Sequence, residues 1–526
     1  RAAHAHPDGR QPAARAGGAG SIWAADGIDG IDRTSRVDGI DHIGYASRIG
    51  HAGSIDRIGR ECAMSTKLPR VVVVGCGFGG MEAVRALSKA PVEITLIDRT
   101  NHHLFQPLLY QVATAGLSAP AISAPIRHTL RREMKRGNLT ILQGEATGID
   151  AAARRVTLAA QAPGSDDRAL EYDHLIVAAG STNSYFGHDD WQQHAPGLKT
   201  LADAFAIRAR VIGAFEQAER GTDPAACAPW LTFAIIGAGP TGVEMAGTLT
   251  EIARHTLRGE FRRIDPNRAK VVLIEGSDRV LGAFVPKLSQ RAADQLARLG
   301  VDVRTGAKVT GIDADGVDYE VHAGDAVQTH RLDAKTVIWA AGVAGVPLGR
   351  ALAAATGATL DRGGRIVVEP DLSVPGHPEI AVVGDLAAAM SHAHGETKPV
   401  PGVSPAAKQM GRTAAANLLR RLHGVATRPF HYIDYGNLAT VGRKAAIVDL
   451  SVPIFGAIRF SGLPAWLFWL FAHIYFLIGF RNRLTVMLDW AWAYVTYERS
   501  ARVVAEPAAP PPTTTRSSSQ APDTHS

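Results

Sequence analysis

Residues 70–80 read RVVVVGCGFGG and residues 233–242 read FAIIGAGPTG. Each stretch is a short apolar run leading into the pattern Gly-x-Gly-x-x-Gly. Val71 to Val74 are all β-branched and apolar, as a parallel strand buried on both faces requires. In the turn that follows, Gly75 permits the tight bend and Gly77 lets the backbone approach a pyrophosphate. Gly80 allows close helix–strand packing, and the helix N-terminus faces the negative phosphates. A helical stretch, MEAVRALSKA, and a second strand, VEITLID, complete the unit. That strand ends at Asp98, 23 residues after Gly75, close to the offset of about 20 at which a carboxylate meets a ribose hydroxyl. The second unit has Gly237, Gly239 and Gly242, and its next strand, VVLI, leads to Glu275. The offset of 38 from Gly237 to Glu275 is ascribed to a longer helical connection over residues 250–268. Acidic Glu275 favours NADH over NADPH, and Arg279, four residues on, weakens that preference slightly.

Two dinucleotide turns in one chain imply an electron relay between a mobile nicotinamide and a resident flavin. The stretches YDHLIVAAG (172–180) and TVIWAAG (336–342) are strands ending in small residues, at Gly180 and Gly342, where a chain passes close to a cofactor or crosses between domains. IAVVGD (380–385) ends in Gly384 and Asp385, and the carboxylate suits a ribityl hydroxyl. In PGVSPAAKQMGRTAAANLLRRLHG (401–424), Ser404 is read as an N-cap, Pro405 as the first helical residue and Gly424 as the stop. A helix starting there and aimed at the flavin pyrimidine would stabilise negative charge on the reduced ring. Lys408 and Gln409, in its first turn, would add donors. The three cysteines, Cys62, Cys76 and Cys227, have no close spacing, which argues against a disulfide scaffold, a zinc site or a dithiol centre. No metal site is expected, and the adjacent His102 and His103 are read as structural.

The chain has 526 residues, 46% of them hydrophobic and 20% charged, the balance of a globular protein of several domains. A mean hydropathy of about zero excludes a multi-span membrane protein. Residues 1–63 hold eight Arg and eight Asp/Glu in short related pieces such as DGIDGID. They fit neither a secretory nor a mitochondrial leader and read as a low-complexity extension ahead of Met64. From Val504 the chain is rich in Pro, Ser and Thr and reads as a disordered tail. The net charge is +6. Residues 428–503 alone contribute +4, from eight Lys/Arg and four Asp/Glu, beside LPAWLFWLFAHIYFLIGF (463–480). A second segment places Leu484, Leu488, Ala491 and Val495 on one helical face, with Asp489 elsewhere. A helix pair lying in a membrane interface fits these segments better than a span. A homodimer contact is the other use for such a face. Anionic headgroups explain the basic charge better than nucleic acid does.

With these residues in place, the chain resembles the two-dinucleotide-binding flavoproteins. It is similar in particular to the type II NADH:quinone oxidoreductases, single-subunit NADH dehydrogenases that do not pump protons. The resemblance runs from about Lys67 to Val503 and is carried by NHHLFQPLLYQVATAG (101–116), GAGPTGVEMAG (237–247), PGVSPAAKQMGR (401–412) and WLFWLFAHIYFLIGFRNRL (466–484). It implies that Gly75, Gly77, Gly80 and Asp98 bind the ADP half of FAD, and that Gly384 and Asp385 bind its ribityl chain. It implies that Gly237, Gly239, Gly242 and Glu275 bind NADH, and that Glu244 handles protons near the flavin. The family's Ala-Gln-x-Ala-x-Gln quinone pattern reads Ser404-Pro405-Ala-Ala407-Lys408-Gln409 here, keeping only the second Gln. The implied reaction passes a hydride from NADH to the flavin and two electrons on to ubiquinone or menaquinone. The implied setting is the cytoplasmic face of a bacterial inner membrane, occupied peripherally. The expected architecture is α/β. An extension covers residues 1–66, and a FAD domain is split into residues 67–195 and 333–427. An NADH domain covers residues 196–332, a helical membrane-docking region 428–503, and a tail 504–526. The rival readings are an NADH-dependent reductase of a ferredoxin-type protein and a redox-sensing flavoprotein of the apoptosis-inducing type.

Overall fold

The computed structural model describes residues 67–160, 168–324, 326–393, 396–452, 456–499 and 501–504. The extension 1–66, with Met64 and Cys62, and the tail beyond Val504 lie outside the described residues. Two parallel sheets organise the rest. The larger has six strands in the order Ser373–Val374, His377–Val382, His174–Val177, Arg70–Val74, Glu93–Asp98 and Leu139–Gln143. All are parallel except the first pair. The smaller runs Asp302–Arg304, Lys270–Ile274, Thr232–Ile236 and Thr336–Trp339, parallel throughout. The larger sheet takes strands from both sides of the smaller in sequence, so one nucleotide-binding unit is inserted into another. Val71 to Val74 are 0–5% exposed, and burying each such side chain is worth about 1.5–3 kcal/mol. This explains the unbroken apolar run where an alternating pattern would mark a half-exposed strand.

One expected boundary is corrected. The strand Thr336–Trp339 pairs with Thr232–Ile236 and belongs to the smaller sheet, so a division at residue 332 falls ahead of the unit's last strand. The chain crosses back at Val343–Gly345, which pairs with Ser181–Asn183. A four-residue apolar run does not record which of two sheets it joins.

Two helices follow the glycine turns, α1 (Phe78–Leu87) and α2 (Pro240–Glu251). The long connection after α2 is helical only as far as Thr256, through a π-helical turn Ile252–Thr256, and again over the short turn Pro266–Arg268. It is not the continuous helix that its length suggested. Helix α3 (Ser404–Leu422) packs on α1. A Cβ on Gly411 would stand 2.1 Å from the carbonyl oxygen of Gly79, so the two backbones meet through glycines.

Residues 428–503 are not helical throughout. They open with a three-stranded antiparallel sheet, Asn437–Gly442, Ala445–Val452 and Gly456–Ser461. This sheet lies on α2 at Gly247, where a Cβ would stand 1.7 Å from the Val441 carbonyl oxygen. Helices α4 (Leu463–Phe476) and α5 (Phe480–Thr496) follow. The apolar stretch 463–480 is therefore broken at Leu477–Gly479, with Gly479 at φ +84°. The 14 residues of α4 reach about 21 Å, against about 30 Å for a bilayer core. Among the described residues no helix is long and apolar enough to cross a membrane.

Candidate functional site

The two glycine turns have the same geometry. Gly75 and Gly237 adopt φ +97° and +98°. A Cβ on Gly80 would lie 1.8 Å from the Gly75 carbonyl oxygen, and one on Gly242 would lie 1.9 Å from that of Gly237. Gly77 and Gly239 instead face open space, with nothing within 4 Å of a built Cβ. The first and third glycines thus seal the turn against its helix, and the second leaves a face that a phosphate can approach. The acids close each turn in the same way. Asp98 accepts the Cys76 N–H at 2.6 Å and the Thr100 N–H at 2.8 Å, and Glu275 accepts the Ala238 N–H at 2.6 Å and the Ser277 N–H at 2.8 Å.

His103 supplies an independent sign of a ligand beside the first turn. Its Nδ1 is 2.8 Å from the Cys76 carbonyl oxygen. A carbonyl only accepts, so Nδ1 carries the proton and Nε2 is left as an acceptor. Nε2 is buried and has no partner among the described residues. Burial pushes the imidazole pKa down to about 4, so the ring is neutral. A buried acceptor of this kind is satisfied by water or by a bound group. The open Gly77 face and this orphan acceptor fit a dinucleotide cofactor in the first cradle. The described residues hold no cluster of groups suited to a metal ion. Cys76 and Cys227 are free and buried.

The other expected residues are placed as follows. Gly180, Gly342 and Gly384 all adopt left-handed φ, +74°, +75° and +74°. Gly180 is open, but Gly342 is covered by the Phe186 ring, which a built Cβ would meet at 2.5 Å. Asp385 Oδ2 accepts from Ser181 Oγ at 3.0 Å. Helix α3 begins at Ser404 itself, with Val403 at the cap position and no side-chain capping bond, so Pro405 is its second residue rather than its first. The Lys408 ammonium lies 5.2 Å from the Phe78 ring centre and 5.3 Å from that of Phe476, so it bridges α1 and α4. Burial lowers its pKa. Gln409 is engaged at both ends of its amide: its nitrogen donates to the Ile433 carbonyl at 3.0 Å, and its oxygen accepts the Ile433 N–H at 2.9 Å. It pins the segment entering the C-terminal sheet.

Glu244, in α2, is 8% exposed. Its one hydrogen bond is long, from the Thr440 N–H at 3.5 Å. Burial pushes its carboxyl pKa up to about 8, against smaller opposing effects from Thr440 and the Trp469 indole. That indole N–H is buried beside the carboxyl and makes no hydrogen bond among the described residues. The site therefore joins α2, the C-terminal sheet and α4. Sequence reasoning missed Thr440, Trp469 and the buried Tyr110, although the last two lie in stretches that carry the family resemblance.

Two open glycine turns on nested parallel sheets, with a buried carboxyl whose pKa burial raises in the helix after the second, suit a flavoprotein that handles two dinucleotides. The family model for pyridine nucleotide-disulphide oxidoreductases matches residues 69–411, and that for the NDH2 C-terminal domain matches residues 435–496. The chain is 43% identical to the type II NADH:quinone oxidoreductase Ndh of Mycobacterium tuberculosis, over 84% of this chain and 91% of that protein. It is 41% identical to NdhA of the same organism, over 83% and 89%. NDH2 from Plasmodium falciparum in complex with NADH superposes with a TM-score of 0.74 at 19% identity, covering 84% of this chain and 100% of that one. The chain belongs to the type II NADH:quinone oxidoreductases. It is an NADH dehydrogenase that uses FAD and delivers electrons to a quinone. The ferredoxin-type and redox-sensing readings are set aside, since the C-terminal segment matches the domain proper to NDH2.

Proposed function

We propose that the first cradle, Gly75, Gly77, Gly80 and Asp98 with Gly384 and Asp385, holds FAD, and that the second, Gly237, Gly239, Gly242 and Glu275, holds NADH. Bound there, FAD supplies the two-electron redox chemistry between NADH and the quinone. The chain's own groups orient the two dinucleotides by backbone N–H donors and helix N-termini. Glu244 keeps a proton at neutral pH and is the group placed to give it up as charge develops nearby. Lys408 brings a partly desolvated positive charge to the start of α3, where it adds to the helix N-terminus. The C-terminal sheet and α4, packed over Glu244, exclude water from that carboxyl. We assign residues 67–195 with the segment after Val343 to the FAD domain, and the intervening strands to the NADH domain.

The same reading places α4 and α5 in the surface of a bilayer, from which the quinone is drawn. One observation carries it. Leu463, Leu467, Phe471 and Tyr475 on α4 and Phe480, Leu484, Leu488 and Val495 on α5 form exposed apolar stripes, with Phe471, Phe480 and Val495 at 65%, 80% and 79% exposure. Contiguous exposed apolar surface of this kind marks an interaction site. Exposed Arg481 and Arg483 in the first turn of α5 suit anionic headgroups and favour lipid over a homodimer contact. The side occupied is taken to be the cytoplasmic face. Flotation with vesicles containing anionic lipid tests this. The wild type floats and a Phe471→Asp/Val495→Asp variant stays below, with turnover on a short-chain quinone retained. Equal flotation of both would overturn the docking reading, and a sedimentation shift to monomer in the variant would assign the face to a homodimer.

A further inference from the structure

We propose that Lys199 is a positioning residue for bound FAD, acting through the Ser181 hydroxyl on the Asp385 carboxylate. The three residues come from separate parts of the chain. Ser181 begins the strand that crosses between the two units, and pairs with Gly345. Lys199 stands just ahead of the helix Leu201–Arg220, and Asp385 lies in the short turn Gly384–Leu386. Lys199 Nζ donates to Ser181 Oγ at 3.0 Å, and Ser181 Oγ donates to Asp385 Oδ2 at 3.0 Å. The chain of donors has a fixed direction. An ammonium can only donate, so the hydroxyl oxygen receives it and the single hydroxyl proton is aimed at the carboxylate.

Lys199 is itself held. Its backbone N–H donates to Asp203 Oδ2 at 3.0 Å, and Asp203 closes a capping box with Thr200. Among the described residues, the polar contact recorded for Lys199 Nζ is the one to Ser181 Oγ. Burial lowers its pKa, and the charge of Asp385, felt across the hydroxyl, opposes that. The ammonium is thus kept in a partly buried place by one polar contact whose far end is Asp385.

The consequence for Asp385 is geometric. With Oδ2 taken, the carboxylate is fixed in one orientation and Oδ1 receives no hydrogen bond from the described residues. Gly402 stands against that oxygen, and a Cβ there would come within 3.5 Å of it. One oxygen is anchored by protein, and the other is left bare beside a residue without a side chain. That is the arrangement an acceptor for a ribityl hydroxyl needs, and it depends on the relay. Without the ammonium, the Ser181 hydroxyl can turn to another acceptor and release the carboxylate. The inference rests on the assignment of Asp385 to the ribityl chain, which neither the fold nor the glycine turns depend on.

The test is the dissociation constant of FAD, read as flavin fluorescence released when holoenzyme is diluted, for wild type, Lys199→Met, Lys199→Arg, Ser181→Ala, the Ser181→Ala/Lys199→Met double variant, and Asp385→Asn. Lys199→Met should bind FAD about tenfold to hundredfold more weakly, the worth of a hydrogen bond to a charged group. Ser181→Ala should match it, and the double variant should be no weaker than Ser181→Ala alone, because the two act in series. Lys199→Arg should recover part of the loss. A Lys199→Met protein that holds FAD like wild type while Asp385→Asn is weakened overturns the role of Lys199 alone. Undiminished binding by Asp385→Asn overturns the ribityl assignment beneath it. Should Lys199→Met not fold, as judged by loss of NADH binding at the second cradle, Ser181→Ala decides: unchanged FAD affinity in that variant refutes the relay.

Discussion

Replacing Glu244 by Gln should remove a pH dependence of stability that the wild-type fold carries. The Glu244 carboxyl sits at about 8 against an ordinary 4.5, chiefly through burial. One pKa step is worth about 1.4 kcal/mol, so the difference corresponds to about 5 kcal/mol. The folded protein holds its proton where the unfolded chain has released it. Between pH 4.5 and 8 the native state thus binds more protons, and stability falls as pH rises. The contribution is complete below pH 4.5 and is lost as pH passes 8. Glutamine keeps the shape and an oxygen for the Thr440 N–H but does not ionise. The stability difference between E244Q and wild type should therefore grow in favour of the variant by about 1.4 kcal/mol per pH step through this window. Denaturant unfolding of FAD-saturated protein from pH 5 to 9 measures it. Infrared difference spectra supply a direct check, since a protonated-carboxyl band should disappear near pH 8 in wild type and be missing from E244Q. Parallel stability curves for the two proteins, with no such band at pH 7, would refute the assignment of a buried neutral acid.

Three further outcomes follow from the geometry. Gly80→Ala places a methyl group 1.8 Å from the Gly75 carbonyl oxygen. The turn must open at about 1–3 kcal/mol, and flavin absorbance per protein after gel filtration should fall while NADH binding persists. Glu275→Ser removes the acid beside the second turn and should raise the ratio of kcat/KM for NADPH over NADH by about tenfold; an unchanged ratio would remove Glu275 from cofactor choice. Arg499→Met breaks a pair in which both side chains are 10% exposed, Arg499 to Glu251 at 3.3 Å. It should destabilise by about 3 kcal/mol, the low end for a broken buried pair, because Glu251 keeps the Arg443 N–H at 2.6 Å. Thermal unfolding of the holoenzyme reads this loss.

The two nucleotide units were legible because their chemistry is local. The turn, the helix start and the closing acid of each lie within one strand–helix–strand passage, and the residue types are forced by crowding, as at Gly80 and Gly242. The C-terminal sheet was not legible. Ala446, Ile447 and Val448 are buried in succession, so the strand has no alternation to read. The environment of Glu244 was also hidden, since its one bonded neighbour, Thr440, is 196 residues away. Gln409 shows the same limit from the other side. Its place at the head of α3 suggested a free donor, while the bond that engages it runs to Ile433, 24 residues on. Strand membership failed for Thr336–Trp339 for a related reason: an apolar run specifies burial but not a partner.

Helices α4 and α5 are fixed to the rest of the fold at several points. Arg443, in the turn of the C-terminal sheet, donates to the Ala493 and Tyr494 carbonyls near the end of α5. Beyond α5 the chain returns to the second nucleotide unit. Thr256 donates to the Tyr497 carbonyl, Arg499 pairs with Glu251, Arg208 reaches the Ala501 carbonyl at 2.8 Å, and Arg502 pairs with Glu260 at 2.6 Å. Exposed pairs such as the last are worth about 1 kcal/mol or less, but the buried Arg499–Glu251 pair and the strand packing at Gly247 are not of that kind. A helix pair held this way has one orientation relative to Glu244. If its apolar stripe lies in a bilayer surface, the depth of the carboxyl relative to that surface is set by the fold. The break at Leu477–Gly479 is then functional in a simple sense. A continuous helix through it would carry the apolar stretch away from the body, whereas the turn folds α5 back along α4, where Trp469 and Trp490 meet with ring centres 5.5 Å apart. The exposed apolar stripe and the Trp469 indole beside Glu244 thereby occupy the same short helix, so on the docking proposal a bilayer surface would lie about one helix diameter, or roughly 10 Å, from the site.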